Sequence, residues 1–128
     1  MITSLTPNMM TYSVEETITF YVENLGFQEY DSATDESGKK IFVILGKDNA
    51  TLMFQSKESL VEEYPVLETE QIKPMLTLYI VVDNFDDYYA QITKNVPVMK
   101  HIHVTPYGAK EFAILDNNDI ALTVAEAR

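Results

Sequence analysis

Residues 108–124 read GAKEFAILDNNDIALTV, and seventy positions earlier residues 38–54 read GKKIFVILGKDNATLMF. Laid together without a gap, Gly38 falls on Gly108, Lys40 on Lys110, Phe42 on Phe112, Ile44 on Ile114, Leu45 on Leu115 and Leu52 on Leu122. A repeat of this length means one supersecondary unit used twice. Upstream, Ser13-Val14-Glu15-Glu16 is a capping-box pattern that starts a helix, and Gly26 supplies its left-handed stop. Ile18, Tyr21, Val22 and Leu25 form the apolar stripe between them. Asp83 lies seventy residues after Ser13 and is the expected cap of a second helix, with Tyr88 matching Ile18 and Ile92 matching Val22.

Strands are expected at residues 5–12, 27–33, 40–45 and 50–55, and again at 75–82, 98–104, 109–115 and 120–125. Residues 56–74 have no counterpart; a short helix over 57–64 ends at Pro65. The expected fold is α+β, one domain over 1–128 made of two tandem β-α-β-β-β modules (about 5–56 and 75–126) joined by linker 57–74. Strand alternation places Leu52, Phe54, Leu122 and Val124 under the helices, joined by Phe42, Ile44, Phe112 and Ile114. The opposite face carries Thr51, Met53, Gln55, Ala121 and Thr123, a mixed set suited to lining a cleft.

At 128 residues, with 46% hydrophobic and 23% charged residues, the chain reads as one globular domain. A net charge of −11 argues against a nucleic-acid surface, which needs clustered Lys and Arg. It is compatible with a cationic ligand, but an acidic surface more often serves simple solubility. The absence of cysteine removes disulfides, thiolate nucleophiles and zinc–thiolate sites. No basic segment leads into an apolar run at the N-terminus, and the apolar run 76–82 is too short to span a bilayer. A cytoplasmic protein without membrane contact is the expectation.

Thr19 to Phe27, TFYVENLGF, resembles the FY-x-x-x-LGF motif of the vicinal oxygen chelate superfamily, which holds glyoxalases, extradiol dioxygenases and bleomycin- and fosfomycin-resistance proteins. Tyr107 to Asp119, YGAKEFAILDNND, resembles its WG-x-x-EF-x-x-x-DPDG, and VVDNFDDYYAQI (81–92) matches its strand–Asp–helix junction. The resemblance covers essentially the whole chain. It implies curved mixed sheets around a cleft, usually in a homodimer, and in catalytic members a metal held by His, Gln and Glu on the first and last strands of each module. Carried over, those ligand positions are Thr6, Met53, Leu76 and Thr123. A thioether, two hydroxyls and an alkyl chain are no ligand set for a divalent ion. The resemblance is therefore nearest in character to metal-free, bleomycin-resistance-like members, with no metal, no cofactor and no catalytic residue assigned.

Candidate cleft residues are Asn8, Met10, Met53, Gln55, His101, His103, Glu111 and Thr123. His101 and His103, the only histidines, stand at i, i+2 on a strand and with Glu111 offer a non-standard metal or acid–base set. The plainer alternative is two solvent- or dimer-facing side chains. Glu111 either grips a cation or pairs with Lys110 or a nearby lysine. Asp116-Asn117-Asn118-Asp119 lacks the glycine and distal glutamate of a calcium loop and reads as a hairpin turn. Tyr79, Phe85, Tyr88 and Tyr89 read as core. The functional expectation is a metal-free protein that binds a small cationic or aromatic molecule; a metal-dependent lyase or dioxygenase and a non-catalytic interaction module are the alternatives.

Overall fold

A computed structural model describes residues 1–128, which form two compact units, Met1–Lys73 and Pro74–Arg128. The first contains β1 (Asn8–Thr11), α1 (Val14–Leu25), β2 (Gln28–Thr34), β3 (Lys40–Lys47) and β4 (Ala50–Ser56), in the sheet order β1-β4-β3-β2. The segment after β4 stays with this unit as α2 (Lys57–Glu63) and a 3-10 turn, Pro65–Leu67. The second contains β5 (Thr77–Val82), α3 (Phe85–Thr93), β6 (Lys100–Val104), β7 (Lys110–Leu115) and β8 (Ala121–Glu126), ordered β5-β8-β7-β6. In each, the first strand runs parallel to the last and the remaining pairs are antiparallel. Two β-α-β-β-β units with mixed four-stranded sheets make the α+β fold that the repeat predicts.

Helix α1 starts and stops where its sequence signals lie. Ser13 Oγ accepts the Glu16 amide at 3.1 Å, and Gly26 ends the helix at φ 77°. The Ser13 amide donates to Thr11 Oγ1 at 3.2 Å, so the capping box forms only in its first half. The buried stripe is Val14, Thr17, Tyr21 and Leu25, while Val22 is exposed and Ile18 half-buried. Thr17 escaped the apolar pattern because its hydroxyl is satisfied locally, donating to the Ser13 carbonyl at 2.8 Å. In the second unit the buried set is Phe85, Tyr88, Ile92 and Val96, each 71 positions after its counterpart. The cap of α3 is accordingly Asn84, not Asp83.

The spacing between the units therefore drifts, and the drift corrects the face assignment in β3. Val43 pairs with Phe54 and Leu45 with Leu52, all four on the helix side; Phe42 and Ile44 pair with Gln55 and Met53 on the opposite face. In β7 it is Phe112 and Ile114 that pair with Val124 and Leu122 on the helix side. Strands β3 and β7 thus match at a spacing of 69, Val43 with Phe112. The cause is an extra residue in each unit, at different places. Thr34 pairs with Lys40 and Ala33 with Phe42, which leaves Ile41 bulged out of β3. The β3–β4 turn holds two residues between Lys47 and Ala50, whereas Asp116 and Ile120 bracket three. One added residue flips a strand's faces, and the longer turn restores them in β8.

Tertiary packing follows this register. Tyr21 meets Phe54 and Phe27, and Phe112 takes edge contacts from Phe85 and Tyr89. A second bulge sets Tyr30 out of β2, where Glu29 pairs with Leu45 and Asp31 with Ile44. Its ring lies against Gly46: a Cβ built there would stand 2.0 Å from Tyr30 Cε2.

Candidate functional site

Each sheet buries one face under its helix, and the other face gathers a second set of side chains. In the first unit that other face carries Asn8 and Met10 from β1, Phe42 and Ile44 from β3, and Met53 and Gln55 from β4. Strand alternation puts the apolar members there half-buried. Gln55 is buried, and the structure satisfies both ends of its amide. Asn8 Nδ2 donates to Gln55 Oε1 at 2.8 Å, and Gln55 Nε2 donates to Ser59 Oγ at 2.9 Å and Glu63 Oε1 at 3.2 Å. The sequence-predicted residues Asn8, Met10, Met53 and Gln55 thus share one face, and the predicted linker helix supplies the polar partners.

In the second unit the corresponding face brings together Tyr79 and Val81 from β5, Thr123 from β8, Glu111 from β7 and His103 from β6. Tyr79, expected in the core, is 53% exposed there, beside Val81 at 58%. Glu111 is buried, yet no lysine or arginine pairs with it. Lys110 turns instead to Asp86 at 3.3 Å and over the Phe85 ring. Tyr79 Oη donates to Glu111 Oε2 at 3.0 Å. That hydrogen bond to a carboxylate, followed by burial and the carboxylate's charge, pushes the Tyr79 phenol above its ordinary value. His103 Nε2 faces Glu111 Oε1 at 3.6 Å, too far for a hydrogen bond.

His103 Nδ1 lies 2.7 Å from the His101 carbonyl oxygen, which can only accept, so Nδ1 carries a proton. The His101 side chain is exposed, and no three His, Asp or Glu side chains come together to hold a metal ion. The set His101, His103 and Glu111 considered from sequence is therefore not assembled: the strand irregularity between Lys100 and His103 breaks the expected i, i+2 pairing. Asp116 is a turn residue as expected, its Oδ1 accepting the amides of Asn118 at 2.8 Å and Ile120 at 2.9 Å.

Metal positions implied by the resemblance can be tested against the register. Thr6 and Leu76 precede their strands; across the parallel pairs Asn8 stands beside Met53, and Tyr79 beside Thr123. A carboxamide with a thioether, and a phenol with a hydroxyl, do not fit a divalent cation.

No protein-family model matches the sequence, and no curated protein does. Solved structures do match its architecture. A glyoxalase-related enzyme from Clostridium phytofermentans is 15% identical with a TM-score of 0.77, covering 100% of this chain and 97% of that one. A glyoxalase/bleomycin resistance protein/dioxygenase family enzyme from Burkholderia phytofirmans is 22% identical with a TM-score of 0.72, covering 96% and 97%. A bleomycin-binding protein complexed with bleomycin is 18% identical with a TM-score of 0.68, covering 99% and 100%. The chain has the glyoxalase/bleomycin-resistance/dioxygenase fold. No helix in it is long and apolar enough to cross a membrane.

Proposed function

We propose that the protein binds a small organic molecule without a metal, a cationic or aromatic ligand taken up on the sheet faces opposite the helices. The observation that carries this reading is the second unit's face, where exposed Tyr79 and Val81 share a side with a buried carboxylate that has no lysine or arginine partner. In the first unit the matching face offers Met10 and Met53, side chains that adapt to irregular ligands, beside the fixed Asn8–Gln55 pair. A net charge of −11 favours a cationic ligand, and a bleomycin-binding protein among the structural neighbours supports small-molecule binding. Pairing into a homodimer in the cytoplasm belongs to the same proposal.

Thermal-shift and native mass spectrometry against bleomycin, other cationic glycopeptides and aromatic metabolites test it. A ligand at a hundredfold excess over its Kd contributes about 2.7 kcal/mol. For a chain of this size, that raises the melting temperature on the order of 10 °C. No stabilisation by any compound at such excess, and no adduct in protein drawn from cell extract, sinks the proposal. The metalloenzyme alternative has no assembled ligand set to support it.

A further inference from the structure

The bulge in β2 changes which side chains share a face. In a regular strand Glu29 and Asp31, two positions apart, would point the same way. Here Glu29 pairs with Leu45 on the helix side, while Asp31 pairs with Ile44 on the opposite side, because Tyr30 is bulged out between them. Tyr30 goes to the side of Asp31. Its ring edge occupies the place of a Gly46 Cβ, which would stand 2.0 Å from Cε2, and Gly46 shares its face with Ile44 two positions earlier. A ring and a carboxylate, consecutive in sequence, are thus set together on the face opposite α1. Lys40 is engaged by Glu29 on the other side of the sheet. Asp31 accepts one hydrogen bond, from the Ser32 amide at 2.8 Å, and has no lysine or arginine partner. No residue of β2 is buried, and Tyr30 remains 55% exposed with its edge seated on Gly46. Covering the glycine accounts for the seat, which any apolar side chain could take, but not for the carboxylate turned to the same side.

We infer that Tyr30 and Asp31 form a subsite for an organic cation whose charge is dispersed in a compact apolar head, a quaternary or alkylated ammonium. The ring face attracts such a charge, and the carboxylate neutralises it without competition from a protein cation. A ring gives no hydrogen bonds, so a primary ammonium would forfeit water on entering, whereas an alkylated one has little to lose. A metal ion finds a single carboxylate and no further acidic or histidine ligand. Continuing across the strands from Asp31, Ile44 and Met53 lie in the same row and are half-buried, an apolar floor for the tail of the ligand. The inference rests on the binding reading above and names the charged part of its ligand; Gly46 acts through Tyr30 as a positioning residue.

Choline and its uncharged counterpart 3,3-dimethylbutan-1-ol, with hexyltrimethylammonium as a longer probe, test the subsite by NMR titration of the full chain. Choline is expected to bind roughly threefold to thirtyfold more tightly than the alcohol, the combined worth of an exposed cation–π contact and an exposed ion pair. It also moves the Tyr30 ring signals, identified by their loss in Tyr30→Phe. Hexyltrimethylammonium binds more tightly than choline and shifts the Met53 methyl. Asp31→Asn and Tyr30→Leu each reduce the preference, Leu still covering Gly46, while Tyr30→Phe retains it. Asp87→Asn, which removes the same charge from α3 in the other unit, leaves the preference intact. Equal affinity for choline and the alcohol overturns the subsite and leaves small-molecule binding standing. So does a preference that survives Asp31→Asn, or one that Asp87→Asn reduces as much. Failure of all three probes overturns the subsite alone, the wider ligand panel deciding the general reading. Should Tyr30→Leu not fold, the wild-type titration decides: Tyr30 signals unmoved by saturating hexyltrimethylammonium overturn the inference.

Discussion

Gly46→Ala is expected to destabilise the protein, and to stabilise it once Tyr30 has been removed. In the native fold the new Cβ would stand 2.0 Å from Tyr30 Cε2 and 2.4 Å from Cζ, so the ring must leave. Tyr30 is 55% exposed, so a little under half of its surface is covered. For a tyrosine of roughly 200 Å² this is on the order of 90 Å², or about 2 kcal/mol of burial released. Against that, alanine restricts the unfolded chain more than glycine and returns about 0.4–1 kcal/mol where the backbone allows it. Gly46 is not among the residues with positive φ, so it does. The net expectation for Gly46→Ala alone is about 1 kcal/mol of destabilisation. In a Tyr30→Ala background no ring is displaced, and the same change should gain about 0.4–1 kcal/mol. Urea unfolding of the four proteins, with m-values checked for constancy, closes the cycle. The reasoning fails if Gly46→Ala has the same sign and size in both backgrounds.

Two further outcomes follow from the electrostatics. Glu15, Glu29 and Asp35 all titrate below their ordinary values, held by the Lys40 amide, the Lys40 side chain and Ser37 respectively. Depressed carboxylates give stability that is present above their unfolded pKa and lost as pH falls through the folded one. Urea midpoints should therefore drop between about pH 5 and about pH 3, less steeply in Glu29→Gln; identical slopes would contradict the assignment. Among eight tyrosines, Tyr79 should ionise later than the ordinary value, and move back towards it in Glu111→Gln, by tyrosine-resolved NMR titration. Its stabilising share is present below the unfolded pKa and disappears as pH rises through the raised one.

Local chemistry made most of the fold readable. Ser13, Gly26 and the paired glycines at 38 and 108 mark their helix start, helix stop and turns, and both of the latter sit at φ 88°. What an ungapped comparison hides is compensation. The bulged Ile41 and the extra residue of the turn after Asp116 cancel in the overall spacing, yet between them the faces of β3 are reversed. Phe42 and Ile44 are as apolar as Val43 and Leu45, so polarity alone gave no warning. At the site, Glu111 and His103 were visible as chemistry-bearing types, but Tyr79 looked like one more core aromatic. Its partner Thr123 and the hydrogen bond to Glu111 are products of strand pairing, which only the register supplies.

The displaced bulge and turn also govern which parts of the chain are transplantable. A whole β-hairpin, residues 108–124, brings its own turn with its own register, so moved onto positions 38–54 it keeps Phe112 opposite Val124 and its apolar side inward. Strand β7 moved alone onto β3 would lay Ala113 where Val43 fills the core and turn Phe112 outward. By register the hairpins transfer whole and not as spare strands, so recombination between the two units is expected to be tolerated at the turns rather than within a strand.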